Sequence, residues 1–382
     1  MARVAICGVA RTPIGKYRGS LSEISAVELG IRAVSELLKR CSIDPSSKII
    51  DEILFGQVLQ TGTGQAPARQ VAIGAGLPYS ISATTINKVC GSSLKAVMMA
   101  ANSIKAGEHK AIIAGGMESM TNAPKFEKRK GDEKEMVSSM VHDGLWDVYN
   151  DVHMGNTGEI IAEECSITRE MMDSFAARSQ LRANMAEENG WFDWERFEMP
   201  ELKFDEGVRP NTSFEKLSEL KPVFQEGGTI TAGNSSTLND GASAVLVADE
   251  DFARIQGWEI IAIIEDYCSA GVEPERVMYA PIPAIKQLLE RAKLGVLDID
   301  IYEHNEAFAS ASCAVAKEVG IPEERFNVHG GAVSLGHPLG SSGTRCLITM
   351  LGVMRKNNAQ SGIVTLCLGG GNAVALRVSM NN

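Results

Sequence analysis

Short apolar runs alternate with stretches of helical spacing along most of the chain. Val4 to Val9 is an apolar run of strand length. Ala26 to Arg40 then sets Val27, Leu29, Ile31, Val34, Leu37 and Leu38 at the spacing of an amphipathic helix. Ile49 to Gln60 returns to strand-like sequence and Ser93 to Gly107 to helix, while Ala111-Ile112-Ile113-Ala114 is a short buried strand closed by Gly115-Gly116. Such alternation predicts an α/β fold with mixed sheets.

The middle of the chain breaks this rhythm. From Thr121 to about Leu238 it carries the charge run Lys125 to Glu135, three of the four tryptophans and few β-like runs. Helices with solvated faces are expected over Glu159 to Glu164, Arg169 to Asn189 and Glu215 to Leu220, so this segment reads as an insertion lying over a surface between two α/β halves. Strands resume at Ala244 to Ala248 and Glu259 to Glu265. A faint repeat supports the two halves. Cys90-Gly91-Ser92-Ser93 opens a helix leading to Ile112 to Gly116, and Leu339-Gly340-Ser341-Ser342-Gly343 opens one leading to Ile363 to Leu368 and then Gly369-Gly370-Gly371.

Composition narrows the class. A chain of 382 residues exceeds what one hydrophobic core usually organises, and 44% apolar with 22% charged residues excludes a disordered, collagen-like or coiled-coil protein. The net charge of -11 argues against nucleic-acid binding, although a local basic patch can still meet a phosphorylated ligand. The eight cysteines are scattered with no C-x-x-C pair, so neither a metal site nor a disulfide scaffold is expected. The amino terminus lacks a signal-peptide core, and no window approaches the ~20 apolar residues of a membrane span. A cytoplasmic location is the expectation.

Four places can carry chemistry. Cys90, in Asn87-Lys88-Val89-Cys90-Gly91-Ser92-Ser93, is set at a tight strand-to-helix turn, where unpaired backbone N–H groups favour a thiolate and can hold an oxyanion; the alternative is a small cysteine packed under a turn. His337, between Gly336 and Pro338 in the glycine-rich stretch Gly330 to Gly343, is either a base for a cysteine or a filler of a polar gap. Cys367, before Gly369-Gly370-Gly371, is an acid or base beside bare backbone, or simply a buried strand residue. Asn305, in His304-Asn305-Glu306-Ala307-Phe308, either pairs structurally or holds a catalytic water.

In conjunction these blocks closely resemble the four signature blocks of the thiolases. Arg11-Thr12-Pro13-Ile14-Gly15, Gly115 to Met120, His153-Met154-Gly155, Thr231-Ala232-Gly233-Asn234 and Asn239-Asp240-Gly241 extend the resemblance along the whole chain in order. The resemblance implies a thiolase-like fold: two duplicated mixed-sheet α/β halves in a layered αβαβα arrangement with an inserted loop domain. The halves would span 1–120 (completed by about 239–260) and 261–382, with a CoA-binding loop domain over 121–238. It also implies a reversible Claisen condensation of two acetyl-CoA, with Cys90 as acyl-carrying nucleophile, His337 as its base and Cys367 as acid and base. Asn305 would hold a water with His337, and the Cys90 and Gly369 N–H groups would face the tetrahedral intermediate.

The same likeness assigns His153, Met154, Arg209, Phe224, Ala232, Ser236 and Phe308 to the CoA passage. No metal or redox cofactor is needed. The expected partners are acetyl-CoA, other acyl-CoA and CoA, in a homodimer or dimer of dimers, without nucleic acid or membrane. A degradative 3-ketoacyl-CoA thiolase for longer chains and a non-catalytic thiolase-fold subunit are the alternatives. His304, Thr237 and the block Met278-Tyr279-Ala280-Pro281 depart from the family pattern near the expected substrate tunnel.

Overall fold

A computed structural model of the chain describes residues 2–131 and 133–381. The first part runs β1 (Val4–Arg11), β2 (Gly15–Lys16), α1 (Ala26–Arg40), β3 (Glu52–Gly56), α2 (Pro67–Gly74), β4 (Ser82–Ile86), α3 (Ser92–Ala106) and β5 (Ala111–Ser119). Next come the hairpin β6 (Lys125–Lys130) and β7 (Glu133–Ser138), the short pair β8 (Trp146–Asp147) and β9 (Val152–His153), and the helices α4 (Met154–Glu164), α5 (Arg169–Glu188) and α6 (Phe214–Ser218). β10 (Asn239–Asp249) and α7 (Glu250–Gln256) return to the first half. The second half is β11 (Ala262–Gly271), α8 (Pro281–Ala292), β12 (Ile301–His304), α9 (Ala309–Val319), α10 (Ala332–Leu335), α11 (Ser342–Asn357), β13 (Ser361–Leu368) and β14 (Asn372–Met380).

The two halves repeat one topology. The first is ordered β1-β10-β5-β3-β4 and the second β11-β14-β13-β12, with β3–β5 and β12–β13 parallel and the remaining central pairs antiparallel. A lone parallel bridge from Tyr302 to Phe326 flanks β12 where the parallel strand β4 flanks β3. Antiparallel pairing of Ala5 with Ile263 and Ile6 with Ala262 stitches the halves edge to edge.

Alternation of side chains across the strands builds the layers. Leu94, Val97 and Ala101 of α3 and Leu347, Ile348 and Leu351 of α11 share a core with Val245 and Val247 of β10, Leu366 of β13 and Val374 and Leu376 of β14. Neighbouring strand positions face outward instead. Ile53, Phe55 and Ile113 meet Leu29, Val34 and Leu37 of α1, while Ile363 and Ala375 meet Ile285 and Leu288 of α8 and Val315 of α9. Helix, sheet, paired helices, sheet and helix therefore follow in order, which is the expected five-layer arrangement. Each fully buried Val, Leu or Ile contributes about 1.5–3 kcal/mol to this packing.

The elements differ from the sequence reading in places. The charge run is a β-hairpin, exposed along Glu133 to Met136, because both faces of a solvated ribbon can be polar and no apolar alternation marks it. α2 escapes the periodicity because its buried side chains are Pro67, Ala68, Val71 and Ala72 in a helix of only eight residues. The strand expected at Glu259 to Glu265 begins at Ala262 and runs on to Gly271, and that expected at Ile49 to Gln60 is confined to Glu52–Gly56.

A buried ion network ties the insertion to β1. The Arg11 guanidinium donates from Nη1 and Nη2 to the two Asp205 carboxylate oxygens at 2.8 and 2.9 Å and from Nε to Glu195 Oε1 at 2.7 Å. Phe192 lies under it at 5.3 Å. Truncating Arg11 leaves two buried carboxylates short of their cation, a loss of about 3–5 kcal/mol. Arg11→Met is therefore expected to lower the urea midpoint by that equivalent, read by circular dichroism at constant denaturant slope.

Candidate active site

The turn between β4 and α3 is strained and tightly bonded. Val89, a β-branched residue, sits at a φ of 46°, a left-handed conformation that persists only where its surroundings enforce it. They do so here. Asn87 Oδ1 accepts the Val89 N–H at 3.0 Å, while Ser92 Oγ accepts the Lys88 N–H at 2.8 Å and donates to Val89 O at 2.6 Å. A Cβ on Gly91 would collide with the Leu368 side chain. Its absence lets the start of α3 lie against the end of β13, bringing Cys90 to the same place as Cys367.

His337 arrives on a second turn of this kind. Gly336 has a φ of 108° and lies where a Cβ would strike Asn239, whose Oδ1 accepts the His337 N–H at 3.0 Å. The imidazole Nδ1 stands 2.6 Å from Ser342 Oγ, and that hydroxyl has its own acceptor in Pro338 O at 2.8 Å. With the serine hydrogen committed, Nδ1–H donates to Ser342 and Nε2 keeps its lone pair. Asn305 Nδ2 is 3.4 Å from that Nε2, and Asn305 Oδ1 faces Cys346 Sγ at 3.8 Å.

Burial holds the reactive groups neutral. It pushes the Cys90 thiol well above its ordinary value, with a smaller contribution from the Cys367 charge. The same desolvation moves Cys367 up to about 12. His337 falls to about 3, from burial first and then from the Arg345 charge. Cys367 is 2% exposed, with Sγ 3.6 Å from Met278 Sδ.

A cavity of about 560 Å³ is lined by Cys90, His337, Cys367 and Gly369. His153, Met154, Arg209, Phe224, Ala232, Ser236 and Phe308 line it as well. Asn305 is fully buried behind the wall and reaches the site through His337. His153 stacks on Phe224 at 4.9 Å between centroids, and Phe224 meets Phe308 edge-on at 5.9 Å, forming one aromatic side of the passage. Gly155 makes room for the Phe224 ring, and its N–H donates to His153 Nδ1 at 3.1 Å. Arg209 is exposed at the rim, its backbone N–H held by Gln180 Oε1 at 2.7 Å.

Several lining residues escaped the sequence reading. Lys16 and Tyr17 directly follow the Arg11-to-Gly15 block, and that adjacency is the signal that could have found them. Met140, Gly144 and Leu145 come from the charged insertion and carry no signal of their own. Of the departures, Thr237 and Met278 do line the cavity, the former donating to Asn239 Oδ1 at 2.8 Å. His304 does not. Its ring lies against Phe326, with Nδ1 2.9 Å from Ser312 Oγ.

Comparison with known proteins agrees with this geometry. The profile of the thiolase N-terminal domain matches residues 4–251 and that of the thiolase C-terminal domain residues 258–380. The chain is 45% identical over 393 aligned positions to an acetyl-CoA acetyltransferase of Cupriavidus necator, and 44% identical to a probable acetyl-CoA acyltransferase of Staphylococcus aureus, covering 99% of both sequences in each case. The crystal structure of Acat5 thiolase from Ascaris suum in complex with coenzyme A superposes with a TM-score of 0.94 at 38% identity, covering 99% of this chain and 100% of that one. Matched almost end to end in both halves, the chain belongs to the thiolase family, as an acyltransferase of that family.

Proposed function

We propose that the protein is a short-chain acetyl-CoA C-acetyltransferase that joins two acetyl-CoA into acetoacetyl-CoA and CoA, reversibly. Cys90 Sγ attacks the acetyl carbonyl as its proton passes to His337 Nε2. Collapse of the tetrahedral intermediate leaves the acetyl group on Cys90, and the departing CoA sulfur takes a proton from Cys367. The Cys367 thiolate then removes a proton from C2 of a second acetyl-CoA. The carbanion attacks the Cys90 thioester, and the released Cys90 sulfur regains its proton from His337. In this reading a water between Asn305 and His337 stabilises the enolate oxygen, and the Cys90 and Gly369 N–H groups receive the tetrahedral oxyanion.

The observation that carries this reading is the meeting of Cys90, from the first half of the chain, with His337 and Cys367, from the second, around one cavity. A non-catalytic subunit has no use for two sulfurs and a base so arranged. The segment 121–238 acts as the CoA-binding loop domain. Its aromatic side made by His153 and Phe224, with Ala232 and Ser236, takes the pantetheine arm, and Arg209 meets the phosphates at the rim.

Cys90→Ala is expected to abolish thiolysis of acetoacetyl-CoA, and Cys367→Ala to lower kcat by about 10²–10⁴-fold while still accumulating acetylated Cys90, visible by intact-mass spectrometry. Wild-type kcat/KM should be highest for acetoacetyl-CoA and fall along a series of longer 3-ketoacyl-CoA; a strong preference for the longer chains would assign the degradative activity instead.

The neutral Cys90–His337 pair makes a separate prediction. Because burial opposes both the thiolate and the imidazolium, iodoacetamide alkylation of Cys90 should keep accelerating with pH between about 6 and 9. A plateau established below pH 7 would reveal a preformed ion pair and contradict the proposed proton transfer.

A further inference from the structure

Glu118 belongs to the block Gly115 to Met120, which none of the proposed steps uses. It is fully buried, and no ion pair reaches it among the described residues. Three backbone N–H groups converge on it instead. Oε2 accepts from Val58 at 3.1 Å and Gly340 at 2.9 Å, and Oε1 accepts from Leu59 at 3.1 Å. These donors come from opposite halves of the molecule. Val58 and Leu59 follow β3, whereas Gly340 lies between His337 and α11. The side chains of Val58, Leu59, Met120 and Leu339 form a small apolar cluster against which Val89 and Cys90 pack.

We infer that Glu118 is a positioning residue for the catalytic histidine: its carboxylate fastens the turn carrying His337 to the wall on which Cys90 rests, and so sets the separation of base and nucleophile. The inference rests on the proposed role of His337 as the base. Gly340 is three residues beyond His337, and Ser342, which orients the ring, is two further on. Shifting this turn therefore shifts Nε2. A carboxylate is suited to the task because it only accepts, and every approaching group donates. An amide of the same shape would present its own NH₂ to one of the three donors. Burial raises Glu118 to about 7, opposed by the three N–H groups, with Asp240 on the neighbouring β10 adding to the rise, so the all-accepting carboxylate is the main form above that pH and the comparison below is made at about pH 8.5.

The test is Glu118→Gln in the full chain. The expected result is a fall of about 10-fold in kcat for acetoacetyl-CoA thiolysis, the scale of one lost hydrogen bond to a charged group, with KM within about two-fold of wild type. Amide hydrogen exchange should accelerate in peptides covering 58–59 and 337–341 and stay unchanged in α1 and α8. Leu38→Ala, in the outer core under α1, is the comparator: it should lower the melting temperature yet keep kcat and the exchange of those two segments. A Glu118→Gln enzyme with wild-type kcat, or an equal effect of Leu38→Ala on the two segments, overturns the inference. Should Glu118→Gln not fold, Glu118→Asp keeps the charge but withdraws it by one methylene; the same split is expected, and an unchanged kcat again overturns the idea. The exchange measurement needs no substrate, so a wild-type chain that fails to cleave acetoacetyl-CoA would sink the proposed function and leave this test standing.

Discussion

The contact on which the site depends is the close approach of two helix starts, α3 and α11, in the middle layer. Small residues make it possible. A Cβ on Gly343 would run into the backbone of Leu94, and one on Gly116 into the carbonyl of Gly340. Gly340 itself has room for no side chain, since a Cβ would stand 2.5 Å from Met117 O. Hydroxyls then bond what the missing side chains allow to touch. Ser93 Oγ accepts the Thr344 N–H at 2.9 Å, and Ser243 Oγ lies 2.8 Å from Ser341 Oγ and 2.9 Å from Thr344 Oγ1. The turns carrying Cys90 and His337 lead directly into these two helices, so the same packing that closes the core brings the thiol and the imidazole together. Two helix N-termini also point their partial positive charge toward one region, which favours a negative charge developing between them.

Burial and catalysis pull against each other at this place. A thiol, a second thiol and an imidazole all lose their charged forms there, which costs reactivity at rest. In the proposed mechanism that loss is useful. Water kept from the site does not compete for the proton of a carbon acid, and a neutral resting pair holds no separated charge until the thiol proton moves to the imidazole with substrate in position. The Cys367 charge adds to the rise that burial gives the Cys90 thiol. The imidazole is held in one tautomer by a serine whose own hydrogen is already spent, so the direction of proton transfer is built into the turn before substrate arrives.

How much of this was legible in the sequence follows from where each signal resides. Cys90 and His337 stand in turns made of glycine and serine, and a turn of that kind announces both its geometry and the atom it displays. The repeat was legible for the same reason, because each half must make the same small-residue helix start. The lining residues Met140 and Leu145 were not legible, since they belong to a six-residue π-helix between a solvated ribbon and a short strand pair, with no period to read. The placement of His304 was not legible, since it is decided by tertiary contacts. Along β12 the side chains alternate, with Glu303 facing Arg345 at 3.1 Å and Tyr302 in the outer core. Parity puts His304 on the face of Tyr302, Thr365 and Cys367, the face that also supplies cavity residues, so it is the stacking on Phe326 and the contact with Ser312 that keep its ring off the cavity.

The same geometry separates what the site fixes strictly from what it fixes loosely. Two bonded turns hold the Cys90 sulfur and the imidazole, the end of β13 holds the Cys367 sulfur, and the segment after β12 holds the asparagine amide against Thr365, so a displacement of one is felt by the others. The surrounding cavity wall is instead made by Met120, Met140, Met278, Leu339 and Phe308. Unbranched methionines repack at little cost, so such a wall discriminates mainly by volume, and one methylene in an apolar pocket is worth only about 1–3 kcal/mol. In the proposed function, the chemistry at the thioester is therefore set by rigid backbone and the choice of acyl chain by soft side chains. On that proposal, substitutions at the methionines move chain-length preference while leaving the carbon–carbon step intact, whereas changes to the glycines beneath the two helix starts alter both, because there the packing and the proposed chemistry share the same atoms.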